Sequence, residues 1–158
     1  MELLNHRVID LAIVRSPFDE TIFHTRYFYK ESMIILSKNI LPNSIKITDL
    51  DNKPLIIYRR FKKILELLFK ENNIKMNIQA LVDDAKTAIL LSSINIGYAI
   101  VPDTSYYSFK YLNLNKCIID CNELNTKIGV IDRKGEKLKK EYEILISYLN
   151  KINSQALA

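Results

Sequence analysis

A chain of 158 residues, 48 % of them hydrophobic and 26 % charged, has a globular composition, long enough for one ordinary domain or two small lobes and too apolar for a disordered segment. Its formal net charge of +5 and pI of about 9.1 raise the prospect of nucleic-acid binding. The lysines are scattered, however, with clusters only at Arg59 to Lys63 and Arg133 to Lys140 and no base-stacking or zinc-finger motif beside them, so most of the charge reads as solvated surface.

In chain order, "VIDLAIV" predicts a buried strand, "YFYKESMIILSK" contains another, and "KPLIIY" is a third, preceded by the short helix-capping pattern "ITDLD". A helix is predicted from Tyr58 to Asn73, because Phe61, Ile64, Leu65 and Leu68 recur at helical spacing with lysines opposite. "KMNIQALV" alternates like a strand. Asp83 or Asp84 then caps a helix through Ala88, Ile89 and Leu91, which Asn95 ends because asparagine tolerates the left-handed conformation at a helix C-terminus. "GYAIVP" is a short buried strand closed by Pro102, and "DTSYYSFKYL" packs as a helix or ordered loop. Strands near "KCIID" and "TKIGVID" follow, and Leu138, Tyr142, Leu145, Leu149 and Ile152 form the apolar stripe of a terminal helix. Such alternation implies an α/β fold with mostly parallel strands, and no repeat or flexible tether interrupts it.

The ordered set "VIDLAIVRSP", "MIILSKNI", "ITDLDNKPLIIY" and "INIGYAIVPDT", followed by a strand and an amphipathic helix, resembles the effector-binding regulatory domain of LysR-type transcriptional regulators. The chain departs from the family in two places: "RVID" stands where the family usually has Gly-Glu-Leu-Asp, and "NIGYA" where it has Gly-X-Gly-Ile-Ala, with Asn95 for the first glycine. The resemblance implies a two-lobed fold like that of type 2 periplasmic binding proteins. Residues 1–26 and 105–158 would build a first lobe incompletely, and residues 27–104 a second lobe whole. The family's winged helix-turn-helix, linker helix and first regulatory strand, helix and strand have no counterpart in these residues, which suggests an N-terminally truncated chain, a fragment or a split reading frame. A first lobe with an unpaired inner strand would be unstable or completed by another chain.

In open α/β sheets ligands bind beyond the carboxyl ends of strands, often with an anion at a helix N-terminus. That rule selects Arg15 and Ser16 after the first strand, Arg59, Arg60 and Phe61 after "PLIIY", Asp84, Lys86 and Thr87 after "QALV", and Pro102 and Asp103 at the end of "YAIVP". The resemblance points to the same positions as the lining of an effector cleft between the lobes. Because arginine grips carboxylates through paired hydrogen bonds, a small acidic metabolite is the expected effector. A plainer reading stands beside each residue: Arg60, Lys62 and Lys63 suit the solvated face of a helix, Lys86 an ordinary surface, and Asp84 a helix cap.

Cys117 and Cys121 bracket "IID"; on one strand their Cα atoms would lie about 13 Å apart, beyond disulfide reach, so an intramolecular disulfide needs different local structure, and a buried structural role stands against the redox role that the resemblance allows. His6 and His24 lack partners at metal-ligand spacing, and no phosphate loop, dinucleotide fingerprint or nucleophile elbow occurs. Neither a metal nor a cofactor is therefore expected, nor is catalysis. "MELLNHR" supplies no secretion signal and no apolar run is long enough to span a membrane, which makes the cytoplasm the expected compartment. The expected partners are a small-molecule effector, DNA only through an absent headpiece, and a second copy through an interface lacking first-lobe elements. Three rivals remain: a solute-binding protein of a transport system with the same fold, an enzyme on that scaffold using Asp84 or Thr87, and a direct nucleic-acid binder.

Overall fold

The computed structural model of the protein describes residues 1–136 and 139–156, with side chains described through Lys151. Among these residues run nine strands: β1 (Leu11–Arg15), β2 (Phe23–Glu31), β3 (Met33–Ser37), β4 (Ser44–Lys46), β5 (Pro54–Tyr58), β6 (Asn77–Val82), β7 (Tyr98–Pro102), β8 (Asn115–Asp120) and β9 (Thr126–Arg133). The α-helices are α1 (Glu2–Asn5), α2 (Lys62–Glu71), α3 (Ala85–Ser93) and α4 (Lys140–Ala156), with 3-10 turns at Ile47–Leu50, Arg59–Phe61, Asp103–Leu112 and Asn122–Leu124. Among the described residues no helix is long and apolar enough to cross a membrane.

The chain folds into two compact units, one of Met1–Lys30 with Thr126–Ala158 and the other of Glu31–Asn125. The return to the first unit therefore comes after Asn125, not near residue 105 as the sequence suggested. The reason is β8, whose residues Ile34-facing Ile118 through Asn115 pair antiparallel with β3 and belong to the second unit's sheet.

In the first unit β9 lies between β1 and β2, and β1 runs antiparallel to β9 with Ile13 opposite Val130. Leu4, Phe23 and Ile131 form its small core, with Ala12 and Val14 of β1 packed against them. The other face of β1 leaves Ile13 55 % exposed. The predicted stripe on α4 is only partly buried: Tyr142 and Leu149 are half-buried, whereas Leu145 is exposed. Leu138, assigned to the same stripe, lies outside the described residues, as does the side chain of Ile152.

The second unit is built on a six-stranded sheet in the order β4-β8-β3-β7-β5-β6. β5 is parallel to β6 and β7, and β4 to β8, while β3 runs antiparallel to both β7 and β8. Five of the six strands thus share one direction, as the α/β reading requires. Alternation sends successive side chains to opposite faces. Met33, Ile35, Leu55, Ile57, Ile100, Cys117 and Ile119 meet α2 through Leu65, Leu68 and Phe69. On the opposite face Ile34, Leu36, Ile56, Ala99 and Val101 meet Ala88 and Ile89 of α3 and the aromatic turn 103–112. "YFYKESMIILSK" makes two strands rather than one, broken at Ser32 where the chain leaves the first unit's sheet for the second's.

Candidate functional site

The parallel strands β5, β6 and β7 end at one edge of the second unit's sheet, with β5 between the other two. At about 4.8 Å between strands, their three ends span roughly 10 Å, the width of a small metabolite. The connection leaving β5 passes through α2 on one face, and that leaving β7 passes through the turn 103–112 on the other. The two lead to β6 and β8, on opposite sides of the β5–β7 pair. The carboxyl ends at such a switch point are the usual place for ligands in open α/β sheets.

Arg59 follows β5 directly and its Nε donates to Oδ1 of Asp83, the residue after β6, at 2.6 Å. Both side chains are largely exposed, so the ion pair is available to a competing ligand. Arg60 and Lys62 follow; Lys62 pairs along the helix with Glu66 at 3.2 Å. α2 begins without a side-chain cap and without an acidic residue in its first turn, which leaves the positive end of the helix dipole uncompensated by the chain itself.

α3 begins differently. Asp84 accepts hydrogen bonds from the Thr87 amide at 2.7 Å and the Thr87 hydroxyl at 2.9 Å, and these bonds hold its carboxyl below the usual carboxylate range. Asp84 and Thr87 therefore satisfy one another, and the anion at this helix start is the protein's own. Lys86 beside them is exposed. At the end of β7, Asp103 pairs with Lys116 at 2.7 Å. The buried carboxylate of Glu31 accepts from both the amide and the hydroxyl of Thr104, at 2.9 and 2.8 Å.

The sequence thus brings Arg59, Arg60, Asp84, Lys86 and Thr87 to one edge. Phe61 starts at that edge but does not stay there: its side chain is 2 % exposed, inside the core under α2 and edge-on to Tyr58. Pro102 is likewise buried, its backbone in register with Met33. The strand-end rule locates a backbone position, whereas the direction of the side chain depends on the turn that follows. Asp103 takes its place at the end of β7 as the strand-end rule selects it, whereas Asp83 is legible in the sequence only as a helix cap and nothing there marks Glu31.

Arg15 and Ser16 belong to the first unit. Arg15 Nη1 approaches the buried Thr126 hydroxyl at 3.4 Å. Ser16 exchanges bonds with Lys127, donating its amide to the Lys127 carbonyl and accepting the Lys127 amide on its hydroxyl, both at 2.9 Å. The serine hydroxyl thereby fastens the end of β1 to β9. Cys117 and Cys121 are both free thiols. Burial pushes each upward in pKa, and for Cys121 the Glu123 carboxylate, 3.3 Å from its sulfur, adds to the rise. Among the described residues no group of three or more His, Cys, Asp or Glu side chains is arranged to hold a metal.

The LysR substrate binding domain model matches residues 1–151. Among curated protein sequences none matches the chain. Among solved structures, the effector binding domain of a BenM variant superposes with a TM-score of 0.82 at 16 % identity, over 98 % of this chain and 76 % of that one. The QuiR effector binding domain in complex with shikimate gives 0.78 at 18 % identity, covering 98 % and 76 %. The CcmR regulatory domain of Synechocystis PCC6803, in complex with 2-PG, gives 0.76 at 16 % identity, covering 96 % and 77 %. These likenesses establish the shared fold, and the family match over nearly the whole length establishes that the chain belongs to the LysR substrate binding domain family.

Proposed function

We propose that the chain senses a small carboxylate for a LysR-type transcriptional regulator, binding it at the switch point between β5 and β7 without transforming it, in the cytoplasm. The supporting observation is the start of α2, where Arg59 and Arg60 precede a helix N-terminus bearing neither a side-chain cap nor an acidic residue. A carboxylate there gains charge-assisted hydrogen bonds and the favourable end of the helix dipole. Two structural neighbours of the chain are solved with benzoate and with shikimate, both carboxylates. Arg59 is the primary grip, Arg60 the second, and Lys86 adds positive charge. Arg15 is proposed as a ligand contact in its own right. The response reaches DNA through the DNA-binding headpiece of the regulator.

Isothermal calorimetry of the chain with small carboxylates and their neutral amides tests the proposal. Carboxylates should bind in preference to the amides, and R59A and R60A should each weaken binding by about tenfold or more, the worth of a hydrogen bond to a charged group. Preference for neutral or cationic compounds would overturn it.

A further inference from the structure

The same sheet carries a hollow at its other end. It encloses about 270 Å³ on the α2 face and is walled by Ile35, Leu41, Pro42, Ile45 and Leu50. Tyr98 and Lys53 stand at its polar side, one opening β7 and the other just before β5. The strand-end arginines lie past the opposite end of the five-residue β5, roughly 15 Å away at about 3.3 Å per residue. The two places are therefore distinct.

We propose that this hollow is a binding site for a short aliphatic carboxylate. Its walls are branched hydrocarbon, and its volume falls just under the range of about 300–1,000 Å³ usual for small-molecule pockets, which suits a single acyl chain. Ile40, beside the mouth, is 92 % exposed, an unfavourable position for an isoleucine that a bound alkyl chain would cover.

The polar side selects the head group. Lys53 makes no ion pair or side-chain hydrogen bond among the described residues. The Tyr98 hydroxyl accepts a long bond from the Asn39 amide at 3.4 Å, and its own proton has no described acceptor. Asp49, the acidic residue in the lining, is already engaged by the Lys46 amide at 2.8 Å, as the cap of the 47–50 turn. One ammonium and one phenol donor are thus available to an anion, and the Asp49 carboxylate is held by one oxygen to the Lys46 amide.

Octanoate is the probe, titrated calorimetrically into the full chain with octanol as the neutral control and with the Ile40 methyl followed by NMR. Octanoate should bind saturably, more tightly than octanol, and should shift the Ile40 methyl. Lys53→Ala and Tyr98→Phe should each weaken it about tenfold, and Ile40→Asp, at a fully exposed position that folding tolerates, should abolish it. Arg59→Ala should leave it unchanged, which separates this site from the strand-end site. The proposal fails if octanoate gives no saturable heat, if octanol binds equally well, if K53A and Y98F bind like the parent, or if binding is lost in R59A.

Discussion

Arg133 Nη2 donates to Asp10 Oδ1 at 3.0 Å, and the same guanidinium ties three more groups together. Its Nη1 donates to the carbonyls of Leu4 and Ile9, at 3.0 and 2.8 Å, and its Nε to Glu136 at 2.9 Å. Asp10 also accepts from Lys139 at 2.8 Å and from the Tyr142 hydroxyl at 3.0 Å. One ion pair thus joins the end of α1, the approach to β1, the end of β9 and the start of α4, in a unit whose buried core is small.

Asp10 therefore contributes to the acid stability of this unit. The hydrogen bonds from Lys139, Arg133 and Tyr142, in that order of effect, hold its carboxyl far below the usual carboxylate range. A carboxylate with a depressed folded pKa adds stability that is complete above its unfolded value, near 4, and is lost as pH falls through the folded one. Asp10→Asn should lower the melting temperature at pH 7 and flatten its decline below pH 4. Thermal melts from pH 7 to pH 2 check this, and parallel parent and mutant curves would refute it.

Asp83 competes with any anion for Arg59, since the two form a close and largely exposed pair. Asp83→Asn removes the competing charge without changing size. It should tighten carboxylate binding severalfold while R59A weakens it, and the double variant should behave like R59A, because the aspartate acts through the arginine. Calorimetry on the three variants decides the matter.

At the end of α3, Asn95 has φ of 66°, the left-handed conformation expected of it, and two residues later Gly97 leaves no room for a side chain. A Cβ on Gly97 would stand 2.6 Å from the Pro54 carbonyl oxygen. Asn95→Gly should be neutral or slightly stabilising, whereas Asn95→Ala should cost about 1 kcal/mol. Gly97→Ala should cost more, because β5 or β7 must shift. Urea unfolding ranks the three.

Both cysteines should be sluggish nucleophiles, since burial favours their protonated forms and Glu123 further disfavours a thiolate at Cys121. Alkylation by iodoacetamide at pH 7, followed by mass spectrometry, should be slower at both positions than for free cysteine. Rapid, selective labelling of Cys121 would reopen a redox role.

Much of this architecture is legible in the amino acids because each apolar run is bounded by a residue with one strong local preference. Asp84 caps α3 and Asn95 ends it, as their side-chain chemistry requires. The break at Ser32 was hidden because apolar residues continue on both sides of it, and only sheet partners distinguish β2 from β3. The placement of β8 was hidden for the same reason, since pairing with β3 is a long-range choice. At the strand ends, backbone positions were readable, but Phe61 turns into the core and Arg59 finds Asp83, outcomes set by tertiary packing.

The central claim, that a carboxylate binds where β5 and β7 part, is tested most directly by amide chemical-shift mapping of the chain titrated with its tightest-binding carboxylate. The largest shifts should fall on Arg59 to Lys63, with smaller ones on Asp83 to Thr87 and Asp103, and they should vanish in the R59A/R60A double variant. Titration shifts that leave Arg59 to Lys63 untouched would contradict the account.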